Sequence, residues 1–167
     1  MTTVQTIFLF LTILFSALVA GLLYGYSCSV NIGLKALPDE QYLRAMQSIN
    51  KAIQNPWFFI SFMGLVLLFP ITAWLLHPRP LNTTFYYLLF AAVIYLAGVF
   101  AVTIFGNVPL NNTLENFNLS SASAADIAAQ RKHFEMPWNR LHLVRTIAAV
   151  LSLASTIIYV LKSSFNH

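Results

Sequence analysis

The chain has 167 residues, 58% of them hydrophobic and only 8% charged, with a mean hydropathy of +0.71. Nine basic and five acidic residues cannot clothe a water-soluble domain of this size, which excludes a soluble enzyme, a disordered chain and a coiled coil. The net charge of +4 comes without a basic run, so no nucleic-acid partner is implied, and the single Cys28 excludes an internal disulfide or a CxxC site.

Four apolar runs follow one another along the chain, at about 4–26, 57–76, 85–106 and 141–161. Each is close to the roughly 20 residues that a helix needs to cross a hydrocarbon core of about 30 Å. Backbone polar groups must be satisfied internally in lipid, so helices are the expected spans. The whole chain, 1–167, then forms a single all-α membrane domain, a four-helix transmembrane bundle. The first run has no basic n-region and is too long for a signal-peptide core, so it reads as a retained span. Within it, Ala17, Gly21 and Gly25 place small residues one turn apart, which suits close helix packing.

Between the first two runs, Tyr42, Leu43, Met46, Ile49 and Ile53 recur at helical spacing, with Arg44, Gln47 and Lys51 between them. An amphipathic helix is predicted over 38–55, starting at Pro38-Asp39-Glu40 and separated from the second span by Asn55-Pro56. Pro70 is expected to kink that span, and His77-Pro78-Arg79-Pro80 to make a tight turn into the third. A long loop is expected from Gly106 to about Met136, partly helical in its Ser/Ala-rich middle, with Pro137 opening the fourth helix.

Twelve of the fourteen charges fall on the two longer connections and the entry to the fourth span, leaving Arg79 and Lys162 for the other face. No charge lies in mid-membrane, which argues against a pump, channel or secondary transporter. Seven basic residues against two put the long connections in the cytoplasm and both termini outside.

Two segments at the charged face can carry chemistry. Asn107-Val-Pro-Leu-Asn111 offers two amides around a proline, either as helix caps or as ligand-binding groups. Trp138, His142 and Arg145 share one helix face, either as an interfacial belt or as a stripe facing the bundle mouth. Asn50 lies at the same membrane face. These six residues are expected to converge, with Glu115 as the counter-anion of Arg145. No spacing motif marks a metal site, and Glu115, His133 and His142 form the nearest conceivable set.

Taken together, the four spans, the exit of the first (Gly21, Gly25, Val30–Leu34), the helix Ala45–Asn50, the segment Gly106–Asn111 with Leu114, and Trp138, His142 and Arg145 resemble the anthrone oxygenase-like family of small membrane proteins. The resemblance covers nearly the whole chain; where many members have a proline at the end of the first span, this chain reads Asn31-Ile32. It implies a multi-pass protein of a bacterial inner membrane that oxidises a hydrophobic aromatic, anthrone- or quinone-like molecule. Dioxygen would be the co-substrate, with no other cofactor. His142 would be the general base and Arg145 would hold the oxyanion, with Asn50, Asn107, Asn111 and Trp138 binding substrate. The partners implied are the bilayer and a hydrophobic small molecule, with a homo-oligomer or membrane complex left open. A non-catalytic accessory subunit or a lipid- or small-molecule-binding protein is the alternative.

Overall fold

The structure, a computed structural model, describes residues 1–165. Four helices long and apolar enough to span a membrane form the bundle: α1 (Thr3–Lys35), α3 (Pro56–Leu75), α4 (Thr83–Glu115) and α5 (Ala124–Phe165). A shorter helix, α2 (Asp39–Ala52), lies between α1 and α3.

Local chemistry explains most of the helix starts. Thr2 and Gln5 form a reciprocal capping box at the head of α1. The side chains of Asn55 and Asn82 accept hydrogen bonds from the backbone N–H groups of Phe58 and Phe85, starting α3 and α4. Ser123 and Asp126 do the same reciprocally at the start of α5. Pro56 sits in the first turn of α3, where its missing N–H costs nothing.

The bundle is knit by packing and by buried hydroxyls, as befits helices that share an apolar solvent. Thr12 and Thr72 hydrogen-bond at 2.8 Å between α1 and α3. Tyr95 on α4 donates to the Phe62 carbonyl of α3 at 2.7 Å, and Ser152 on α5 donates to the Ala91 carbonyl of α4 at 2.8 Å. Gly98 packs tightly on α5: a Cβ there would lie 2.6 Å from that of Ala148. The packing role expected of Gly21 and Gly25 is not what the structure shows: a Cβ at either would meet nothing within 4 Å. Bulkier neighbours on α1, Val19 and Leu23, face the core instead.

Over one end of the bundle sits a cap. Leu43 and Met46 of α2 are fully buried with Leu114, Phe134 and Trp138, as the periodicity of 38–55 predicts. Gln47 donates to the carbonyls of Leu114 and Phe117, tying α2 to the end of α4. Arg131 donates to the carbonyls of Lys35 and Leu37 and to Asp39, pinning the α1–α2 junction onto α5. At the opposite end Gln5, His77, Asn82 and Ser163 line one cleft, so the first turn of α1, the α3–α4 turn and the last turns of α5 lie together.

Two boundaries differ from expectation. The helix of the third span does not stop at Gly106 but runs on to Glu115, and that of the fourth starts at Ala124, so the connection is only 116–123. Pro137 lies inside α5 rather than opening it. A proline removes one internal hydrogen bond, but Ile127, Phe134 and Trp138 are buried by the continued helix. At 42 residues, α5 is about 63 Å long by helix rise, twice the hydrocarbon thickness, so its charged N-terminal end stands outside the core.

Candidate functional site

Three stretches of π-helical turn interrupt the spans, at Tyr26–Val30 in α1 and at Tyr95–Ala101 and Thr103–Asn107 in α4. Each wider turn rotates the following side chains relative to an α-helix, and such turns concentrate at functional sites. Here they aim Ser27 from α1, and Thr103 and Asn107 from α4, at one stripe of α5.

That stripe carries Trp138, His142 and Arg145, all buried. The Trp138 and His142 rings stack, with centroids 5.1 Å apart and planes 11° apart. Tyr26 packs edge-on against His142 at 4.8 Å and against Trp138 at 5.3 Å. The Trp138 indole N–H donates to Asn111 Oδ1 at 2.8 Å, and Asn107 Nδ2 donates to the Trp138 carbonyl at 3.4 Å. The two amides around Pro109 therefore hold Trp138 in place. Neither caps a helix: Asn107 has no capping bond, and its Oδ1 is buried without a partner.

Arg145 is the electrostatic oddity. Its side chain is buried, yet it pairs with no carboxylate among the described residues. One terminal nitrogen donates to Thr103 Oγ1 and the other to His142 Nδ1, each at 3.2 Å, and its Nε–H has no acceptor. The Trp138 ring lies 5.6 Å from the guanidinium carbon. The expected pair with Glu115 does not form: Glu115 binds Lys51 at 2.8 Å, and both are well exposed. The reason is the continuation of α4. Glu115 is twelve residues beyond Thr103, about 18 Å along the axis, whereas Arg145 sits at the level of Thr103.

The same contacts specify the tautomer of His142. An arginine can only donate, so Nδ1 accepts and the imidazole is neutral with its proton on Nε2. That N–H faces Ser27 Oγ at 2.9 Å, and the Ser27 hydroxyl donates a hydrogen bond to the Leu23 carbonyl at 3.1 Å. Thr146 lies 3.2 Å from Ser27 and donates to the His142 carbonyl at 2.9 Å.

Ser27 and His142 close the inner end of a cleft of about 770 Å³ between α1 and the N-terminal half of α5. Ser27, Asn31 and Lys35 form one wall, and Lys132, Met136, Asn139 and Leu143 line the other. Met136 and Leu143 are more than half exposed, so the cleft has an exposed apolar flank.

Of the six residues expected to converge, five do so: Asn107, Asn111, Trp138, His142 and Arg145. Asn50 does not join them; it is buried on α2 with its Nδ2 unpaired. Trp138 is covered by Tyr26, Phe134 and His142, so it is a packing element rather than a free stacking face. The Glu115–His133–His142 set is not assembled, since His133 lines a separate cleft with Phe117 and Asp126. Among the described residues no three His, Cys, Asp or Glu side chains cluster. Tyr26, Ser27, Thr103 and Thr146 are additional members of the site. Their one sequence signal is position: Ser27, Asn31 and Lys35 recur every four residues, and Thr103 and Thr146 lie four residues from Asn107 and His142.

A family model described as anthrone oxygenase matches residues 56–155, which contain most of this constellation. No match emerges among curated proteins or solved structures.

Proposed function

From the premise that this chain belongs to the anthrone oxygenase family, we propose that it oxidises a hydrophobic, enolisable aromatic ketone of the anthrone type with dioxygen in the α1–α5 cleft. The observation that carries this reading is the buried, acid-free Arg145 donating to the lone pair of a neutral His142. A buried cation without a counter-ion is costly, and an oxyanion formed from substrate supplies one.

These contacts support the following steps, with Arg145 reached through its neighbour His142 at the inner end of the cleft. A ketone oxygen presented to Arg145 draws the guanidinium from His142 Nδ1, which is then free to accept the acidic carbon-bound proton. The electron pair moves onto the ketone oxygen, where Arg145 holds it as an enolate. Dioxygen adds to the carbanionic carbon, and the proton returns to give a hydroperoxide at that carbon. Loss of water leaves the second carbonyl of the quinone, so one substrate and one dioxygen give one quinone and one water. Stabilised carbanions of this kind react with dioxygen directly, so the reaction is written with dioxygen as the only co-reactant. Asn107 and Asn111 act by fixing Trp138, which fixes the plane of His142.

On the basic-residue bias, the cleft mouth faces the cytoplasm of a bacterial inner membrane and substrate enters past Met136 and Leu143 from the lipid. One observation favours a binding protein instead: the His142 lone pair is already occupied in this arrangement. Oxygen uptake with anthrone by the purified protein decides between them. The oxygenase reading expects uptake above autoxidation, one anthraquinone per dioxygen, and a loss of about 100-fold or more in His142→Gln. Tight binding of anthraquinone with no acceleration of uptake would leave the binding reading.

A further inference from the structure

The cleft is layered in a way that three fused rings do not use up. Ser27 and His142 lie at its inner end, Asn31 and Asn139 line its middle, and Lys35 and Lys132 line its outer rim. By helix rise the rim is about 12 Å from Ser27 along α1 and about 15 Å from His142 along α5. Arg131 and Arg140 also border it. Its two acids, Asp39 and Glu135, are both bound to Arg131, at 2.9 and 2.8 Å. Lys35, Lys132 and Arg140 thus have no carboxylate partner among the described residues, and the rim is net positive. In the layer beneath, Asn139 Oδ1 is buried without a donor.

We propose that the ligand of this cleft is an aromatic acid, whose anionic substituent is held by Lys35 and Lys132 while its ring system lies between Asn31 and Asn139 towards His142. This rests on the functional reading above and narrows its substrate class. The unpaired acceptor of Asn139 takes a ring hydroxyl, so a phenolic acid fits better than a bare ring. An anionic lipid headgroup offers the same charge to the same rim, but the continuity of the cleft down to Ser27 favours a ligand that reaches inward.

The test uses two inert probes, anthraquinone-2-carboxylate and its neutral carboxamide, with the full chain in phosphatidylcholine nanodiscs and binding followed by tryptophan quenching. The acid is expected to bind about tenfold tighter than the amide, as two partly exposed ion pairs imply. That preference should shrink at high salt and vanish in the Lys35→Gln/Lys132→Gln double variant, whose amide affinity should match that of the wild type. Equal binding of acid and amide, both weakened by His142→Gln, would overturn the rim while leaving the ring site intact. Failure of both probes to bind would remove the functional reading itself. If the acid has no advantage and phosphatidylglycerol raises the thermal midpoint of the wild type but not of the double variant, the rim is a lipid site and the aromatic-acid proposal falls.

Discussion

Arg145 decides how the centre of this protein is read. A guanidinium snorkelling at a membrane surface would reach water or headgroups, but this one is turned inward onto Thr103 and His142. Replacing it with Met keeps the volume and removes the charge. The uptake rate should fall by about 100-fold or more, while affinity for neutral anthraquinone stays within about threefold, because only the enolate carries the charge that Arg145 holds. A second residue-level expectation concerns Trp138. Asn111→Leu strands a buried indole N–H, which costs about 1–3 kcal/mol. Its thermal midpoint should drop measurably, whereas Trp138→Phe combined with Asn111→Leu, which removes both partners, should recover most of the loss. The sequence showed Trp138, His142 and Arg145 because they are rare residue types at helical spacing. Ser27 and Thr103 escaped because a hydroxyl within an apolar helix reads as ordinary: only the π-helical turns that aim them distinguish them from other Ser and Thr.

At the scale of elements, the cap over the charged end has a buried core of its own. Met46 is fully buried there, so Met46→Ala should cost about 2–5 kcal/mol. Lys51→Gln breaks only an exposed pair and should cost less than about 1 kcal/mol. Denaturant titration in detergent, read by far-UV circular dichroism, separates the two; equal tolerance would mean that α2 is not docked. The head of α5 supplies a pH dependence. Hydrogen bonds from the Ser123 hydroxyl and backbone lower the pKa of Asp126 below its ordinary value. A carboxylate with a depressed folded pKa stabilises fully above its unfolded value, near pH 4, and loses this as pH falls through the folded one. The stability gap between the wild type and Asp126→Asn should therefore be constant from pH 7 to about pH 5 and close below about pH 4. These elements also mark what local rules miss. The amphipathic stripe of α2 and the Asn-Pro start of α3 were readable, because side-chain period and capping are local. The run-on of α4 past Pro109 and of α5 through Pro137 was not, because proline argues for a helix boundary locally. The burial of Leu114 and Phe134 against α2 outweighs it, and that contact spans about seventy residues or more of sequence.

The whole molecule is a four-span bundle with one polar end, and its topology was legible from length and hydropathy because the bilayer fixes both. Its sidedness rests on the basic residues alone. Single cysteines at Ser123 and Arg79 in a Cys28→Ser background should label from opposite faces, with Ser123 reached only after the membrane is opened if the basic-residue bias sets the orientation. Labelling of both from one side would break the bundle topology.

The most direct test of the functional reading isolates its first chemical step. Under argon, in deuterated buffer, the acidic ring-carbon protons of anthrone exchange through the enolate, and mass spectrometry follows the exchange without any oxygen chemistry. The wild type is expected to accelerate exchange well above buffer, and His142→Gln and Arg145→Met are each expected to return it to within about tenfold of buffer, since base and oxyanion holder act on the same step. Wild-type exchange no faster than buffer, or undiminished exchange in His142→Gln, would contradict the assignment of His142 and Arg145 as the site of proton abstraction.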